Sequence, residues 1–555
     1  MFRVKGPKSL YLDFTHELDK GASALEKRLI AALIFLGTFL IIAATAKDYG
    51  VTWDEPPYFY ASDLHVRWLD DLLKNLAHSQ IQRSLSDENI KAAWHWNPYN
   101  VPHPPFSRIV SGFTKTLTAP WLDKFAAYRL GPALFFAVLT AVMYLWMSEL
   151  FGRATGIFSA LALIATPNLF AFAHIAVTDM PLASMWFLTT YCFWKGLKSW
   201  GWSIVAGFVW GLALATKFPA LLIPIPLLLW AHLFDRKTYV NNVFAMFFLS
   251  PLVMVAIQPY LWHQPAVRIL EFLFEGLSRA YRPETNYSVF FFGNSYMTNQ
   301  LPWYYPFFVI GVTSPETVLA LALLGVSCIS CLREQGPVIM LLLVNALFIP
   351  VMGSLPGAVL HDGVRQLLSA LPFLAALAGV GFYVLVTWSA DAAQRLKASK
   401  GVANVKSKVI GALSLLVLFS PALELYLCHP FQLSYYNRLV GGIRGAYESG
   451  LETTYFMEAI TPGFLKSLNE KLPKNATINA SLANFMFTYH QSEGRLRRDI
   501  RISSKQPFDY YILLNRRSVL SPRERQLTRA AVTPYLSVTV AGVPLVFVWD
   551  FKKPG

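Results

Sequence analysis

The sequence predicts a polytopic α-helical membrane protein of about eleven transmembrane helices, with a small external α/β domain at its carboxyl end. Three observations carry that expectation. Hydrophobic residues make up 54% of the 555 and charged residues only 15%, against about 25% charged in soluble domains. The apolar residues gather into eleven long runs. Past residue 428 these runs stop, and short strand and helix patterns with turn residues between them take over. A soluble fold could not hide so much apolar surface. The net charge of +15 would by itself suggest nucleic acid, but in a membrane chain it is better explained by Lys and Arg held on the cytoplasmic side. Cys192, Cys328, Cys331 and Cys428 are too few for a disulfide framework, and the CxxC they include lies inside an apolar run.

The runs fall at 29–46, 128–149, 154–173, 180–197, 202–216, 219–234, 240–262, 315–332, 337–355, 366–388 and 408–428. Several approach the roughly 20 residues needed to cross a bilayer. The fifth and sixth are parted only by Lys217 and Phe218 and read as a tight helical hairpin. Basic residues crowd the tail (Arg3, Lys5, Lys8, Lys20, Lys27, Arg28) and the 389–408 loop. That asymmetry predicts a cytoplasmic tail at 1–28, a transmembrane core at 29–428 and an external carboxyl terminus. The tail reads as leading into an anchor, not a cleaved signal peptide.

Three segments are then external. The loop 47–127 opens with Thr52-Trp53-Asp54-Glu55-Pro56-Pro57 and continues as an amphipathic helix over 58–77. There Leu69, Leu72, Leu73 and Leu76 share one face, which suits the membrane surface. The loop 263–303 is rich in Tyr, Phe and Asn. The segment 429–555 reads as a helix near 456–472, strands at 476–480 and 508–515, a helix at 522–531 and a hairpin of 536–540 with 544–551 about Ala541-Gly542.

Charged residues at the external membrane face are the informative ones, because burial in a bilayer penalises them unless they are paired or hydrated. Asp54 and Glu55 are adjacent acids able to supply a general base and an orienting carboxylate. An Asp before Pro-Pro is also a common helix cap, and by spacing alone the cap is the commoner use. Asp179, ahead of Met180-Pro181, admits the same two readings. His103 stands in a stiff His-Pro-Pro turn; Arg129 starts the second span, Lys217 ends the fifth, and His361 and Arg365 open the tenth. Singly each cation reads as an interfacial side chain. Together these acids and cations are what an anionic lipid phosphate and an acid/base site would need.

The ordered set Asp54-Glu55, His103-Pro104-Pro105 and Thr178-Asp179-Met180-Pro181 resembles the protein O-mannosyltransferase and aminoarabinose-transferase family. These are GT-C glycosyltransferases that take sugar from a polyprenyl-phosphate carrier. Thr216-Lys217-Phe218, Pro302-Trp303-Tyr304-Tyr305-Pro306, His361-Asp362-Gly363-Val364-Arg365 and Ser434-Tyr435-Tyr436-Asn437-Arg438 are similar to its bacterial members, so the likeness runs from about residue 29 to 480. The resemblance implies a membrane glycosyltransferase with Asp54 as catalytic base, Glu55 beside it and Asp179 as a second acid. It implies donor-phosphate contacts for Arg129 and Lys217 and, more loosely, for Arg365 and His361. His103 stands where aminoarabinose transferases carry a Lys that meets the donor phosphate. Asp54, Asp179 and His103 are also the set that a divalent metal would use; metal dependence stays open. The expected partners are a lipid-linked sugar donor and a protein, lipid or glycan acceptor, with inversion at the anomeric carbon. A transporter or flippase of lipid-linked substrates is the alternative, although near-charge-free span centres and the lack of an evident repeat between the two halves speak against it.

Overall fold

The computed structural model describes residues 23–95, 103–235, 238–278, 287–396, 402–530 and 532–552. Most of the predicted tail, and residues 397–401 of the basic 389–408 loop used for orientation, lie outside them. Every one of the eleven apolar runs is helical over most of its length. Five described helices are long and apolar enough to cross a bilayer unbroken: Ala24–Thr45 (α1), Lys124–Phe151, Val240–Ile257, Gly336–Gly353 and the stretch Arg365–Ala390. The pair Tyr305–Thr313 and Glu316–Ser327, bent by 117° at its break, forms a further span if counted as one. Other runs are shorter or broken. Arg153–Ile164 stops before Pro167, which begins a separate short helix, Pro167–Phe172, as expected where the ring removes a donor.

The tight hairpin expected of 202–216 and 219–234 does not form. Trp200–Leu214 packs instead along Val240–Ile257, and Pro224–Phe234 against Gly336–Gly353. The reason is local: Gly207 and Gly211 let the backbones close in. A Cβ at Gly207 would lie 2.4 Å from the Ala245 carbonyl oxygen, and one at Gly211 would lie 2.8 Å from that of Ser250. Pro219, Pro224 and Pro226 meanwhile turn the next segment through a 3₁₀ stretch, Phe218–Leu222, before the helix resumes.

The first long loop is mostly helical. Glu55–Ala77 (α2) buries Tyr58, Phe59, Ser62, His65 and Trp68 against the core and leaves Leu73 and Leu76 exposed. Phe106–Thr118 (α3) packs between α2 and Lys124–Phe151 (α4). Asp179–Gly196 (α5) is buried along almost its whole length.

The carboxyl-terminal region carries a five-stranded sheet. After the hairpin of β1 (Ser288–Phe291) and β2 (Asn294–Met297), the strands are β3 (Thr477–Asn479), β4 (Arg501–Ile502), β5 (Tyr510–Leu514), β6 (Leu536–Val540) and β7 (Val543–Asp550). Their order is β4-β3-β5-β7-β6. β3 runs parallel to β4 and β5, while β7 is antiparallel to β5 and β6. The β6–β7 turn places Ala541 at φ 48° and Gly542 at φ 82°, the backbone that a two-residue hairpin needs. β4 and the helix Asn484–Ser492 were not anticipated: one is two residues long and the other has little periodicity. This region is fastened to the helical core. Lys124 Nζ lies 2.8 Å from Glu493, Arg495 pairs with Asp123, and the Trp53 N–H donates to the Phe456 carbonyl at 3.2 Å.

Candidate active site

The loop leaving α1 is held by a buried ion pair. Glu55, the first residue of α2, and Arg129, one turn into α4, are both removed from solvent. Arg129 Nε and Nη2 donate to the two Glu55 oxygens at 2.8 and 2.7 Å. Nη1 donates to the carbonyls of Ala46 and Tyr49 at 2.9 and 3.0 Å, and Nη2 to that of Gly50 at 2.8 Å. Glu55 also accepts the Thr52 and Ala176 N–H groups at 2.9 and 3.1 Å. All five guanidinium donors are spent inside the protein. The phosphate contact expected of Arg129 therefore has no donor left to make it, and Glu55 faces a cation instead of an incoming hydroxyl.

Asp54 is oriented differently. It precedes α2 in helical conformation (φ −82°, ψ −24°) and makes no side-chain cap. Its carboxylate turns to Arg365, which joins three acids at once. Nη2 donates to Asp54 at 2.5 Å, Nε to Asp179 at 3.2 Å and Nη1 to Asp362 at 3.1 Å. Lys217, in the extended residue that follows α5's neighbour helix and a short turn, reaches Asp179 at 2.7 Å. Asp362 also meets His361 Nδ1 at 2.8 Å and Arg516 Nη2 at 3.3 Å. Arg365 lies 4.1 Å over the Phe456 ring, and Arg516 lies 4.8 Å over Trp53. Gly363 permits the bend, with φ at 64° and the Tyr455 ring 3.1 Å from where a Cβ would stand. The side chains of Asp179, Asp362, Arg365 and Lys217 are at most 7% exposed, whereas that of Asp54 is 32% exposed.

Burial raises the Asp362 carboxyl, but His361, Arg516 and Arg365 outweigh it and leave the group well below the usual carboxylate range. Its folded-state value is depressed, so its stabilising contribution is present above the unfolded carboxyl value near 4 and is lost as pH falls. Thermal unfolding of the wild type and of Asp362→Asn should therefore differ most at neutral pH and converge in acid; a gap that widens below about pH 4 would contradict this sign.

His103 lies on the far side of Tyr58. Their ring centroids are 6.4 Å apart, and Arg108, 5.8 Å over the Tyr58 ring, donates to the His103 carbonyl. Burial lowers Arg108 to about 10 and, together with Asp54, raises the Tyr58 hydroxyl. The Phe106 N–H bonds the Ala215 carbonyl at 2.8 Å, which docks the His-Pro-Pro turn beside the segment leading to Lys217. The metal set expected of Asp54, Asp179 and His103 does not assemble. Arg365 stands between the two carboxylates, and among the described residues no three His, Cys, Asp or Glu side chains converge as metal ligands.

Residues 103–263 match the family model of dolichyl-phosphate-mannose-protein mannosyltransferases. The structure of ArnT from Cupriavidus metallidurans in the apo state aligns over 93% of this chain and 97% of its own, with 16% identity and a TM-score of 0.50. The chain is a membrane glycosyltransferase of the GT-C fold. The same ArnT bound to undecaprenyl phosphate gives 15% identity over the same shares of both chains, with a TM-score of 0.46. The apo oligosaccharyltransferase of Archaeoglobus fulgidus gives 11% identity over 85% of this chain and 61% of its own, with a TM-score of 0.44. No curated protein matches the chain. The transport alternative gives way to this assignment. In this glycosyltransferase, sequence reasoning missed Asp362 and Arg516 as members of the cluster. Asp362 was visible inside the motif with Arg365; Arg516 carried no local signal.

Proposed function

We propose that this glycosyltransferase moves a sugar from a polyprenyl-phosphate donor to an acceptor hydroxyl or amine at the external membrane face. The observation that carries the reading is Asp54: of the three carboxylates on Arg365 it is the accessible one, and its neighbours are charged, buried and fixed. The acceptor proton passes to Asp54 as the acceptor atom attacks the anomeric carbon. The bond from that carbon to the phosphate oxygen breaks on the opposite face, so configuration inverts, and polyprenyl phosphate leaves as the anion. Cations that neutralise the developing charge lower the barrier. Lys217 and Arg365 are the nearest candidates, with His103 and Arg108 along the adjoining wall; Arg129 acts behind them by fixing Glu55. Purified protein incubated with a panel of polyprenyl-phosphate sugars and membrane extract should move label from one donor into an acceptor. No transfer from any donor would sink the reading.

Lys217→Gln should lower kcat/KM for the donor by about 10²-fold or more while the acceptor KM stays level. An effect confined to the acceptor would move Lys217 out of the phosphate site. The same reading places the predicted core 29–428 with its active face outward and the 429–555 domain outside, over the acceptor. A reporter that is active only in the cytoplasm, fused after Gly555, should stay silent; a bright signal would reverse the topology.

A further inference from the structure

A cavity of about 240 Å³ lies between the carboxyl-terminal sheet and Trp53 of the first long loop. One wall, reaching to the rim, is made by residues that follow two parallel strands: Leu482 and Phe485 after β3, and Val519 after β5. Crevices outside the carboxyl ends of parallel strands are where open α/β sheets take ligands. The opposite wall adjoins the cluster around Asp54. Trp53 is its chain neighbour, Tyr287 packs on His361 at 4.8 Å, and Arg516 spans both sides by meeting Asp362 and the Tyr455 carbonyl, the latter at 2.7 Å. The lining is mainly apolar and aromatic, and the rim keeps Leu482 60%, Phe485 50% and Val519 38% exposed. Exposed apolar side chains around an apolar hollow are what a binding site shows and a packing defect does not.

We propose that this cavity is a subsite for one large apolar side chain of a polypeptide acceptor, close in sequence to the residue that receives the sugar. The inference rests on the transfer reading above and specifies its acceptor. Size argues for a single side chain, because pockets that engulf whole small ligands run to about 300–1,000 Å³. Position argues for a flanking residue. Trp53 forms the wall and Asp54 follows it in the chain, so an extended peptide with its hydroxyl at Asp54 places a nearby side chain against Trp53. The carboxyl-terminal domain thereby selects the acceptor, and Arg516 couples the filled cavity to Asp362 and, through it, to Arg365.

The test uses the purified full-length protein and two labelled peptides, each with one central Thr in an Ala/Gly background, one carrying Trp two residues from the Thr and the other Ala. Fluorescence polarisation should give the Trp peptide at least about 10-fold tighter binding. Val519→Trp, which fills the cavity from the rim, and Leu482→Asp, which makes the rim polar, should each abolish that preference. Both variants should keep the wild-type thermal shift on adding undecaprenyl phosphate, which reports an intact fold and donor side. Equal affinity for the two peptides, or a preference that survives in both variants, overturns the proposal. A short-chain phospholipid that binds wild type and not the variants, with no discrimination between peptides, would assign the cavity to a lipid and also overturn it. Wild type that prefers the Trp peptide yet moves no sugar from any donor would sink the transfer reading and leave the subsite standing.

Discussion

Asp54→Asn should lower turnover by about 10²–10⁴-fold, the usual contribution of a well-placed general base. The substitution keeps the size of the side chain and an oxygen for Arg365 Nη2, the contact made at 2.5 Å in the wild type. It removes the ability to take the acceptor's proton. Donor binding should persist, because Lys217 and Arg365 remain on Asp179 and Asp362. The separation is measured by titrating the donor analogue undecaprenyl phosphate in the same preparation used for turnover. Near-normal transfer by a folded Asp54→Asn would remove Asp54 as the base. Asp179 could not simply replace it, since Lys217 and Arg365 hold that carboxylate away from solvent.

The second large effect concerns stability. Arg129→Met should destabilise the protein by about 3–5 kcal/mol, the range for breaking a buried pair by removing one partner. The cost has two sources. Glu55 would lose its buried counter-charge, and the carbonyls of Ala46, Tyr49 and Gly50 would lose their donor. Glu55→Gln should cost stability too, because its single oxygen can still accept from Arg129 Nε and the Ala176 N–H but its amide nitrogen then faces Arg129 Nη2 and the Thr52 N–H, donor against donor. Thermal unfolding in detergent compares the two. If Arg129→Met unfolds with the wild type but loses donor affinity, then Arg129 serves the phosphate after all.

Much of this architecture was legible from the chain, and the limits have physical reasons. Asp179, Lys217 and Arg365 stood out because each borders an apolar run, where an unpaired charge is costly, and Asp54 because it follows the first run closely beside a second acid. Who pairs with whom did not, because the pairings span long stretches of chain. Arg129 meets Glu55 across 74 residues and Arg365 meets Asp54 across 311. A span-end Arg therefore read as a phosphate contact although its donors are all spent on the loop. The hairpin at Lys217-Phe218 was misjudged because loop length was weighed and the small residues at 207 and 211, which choose a different neighbour, were not. The β6–β7 hairpin was read to within a residue because Ala541-Gly542 marks it locally. β4 had only two residues to show itself.

The contact between Arg516 and Asp362 has a consequence for biogenesis. The three acids and Arg365 all lie in the first 365 residues of the chain, so they emerge from the ribosome and enter the bilayer well before the cation that completes their surroundings. A nascent chain with every helix inserted still has Asp362 short of one counter-charge and Trp53 without its guanidinium cover. The cluster around Asp54 is thus completed only after the carboxyl-terminal region has begun to form. A truncated product that stalls before residue 516 reaches the membrane with its helices in place and its chemistry unassembled.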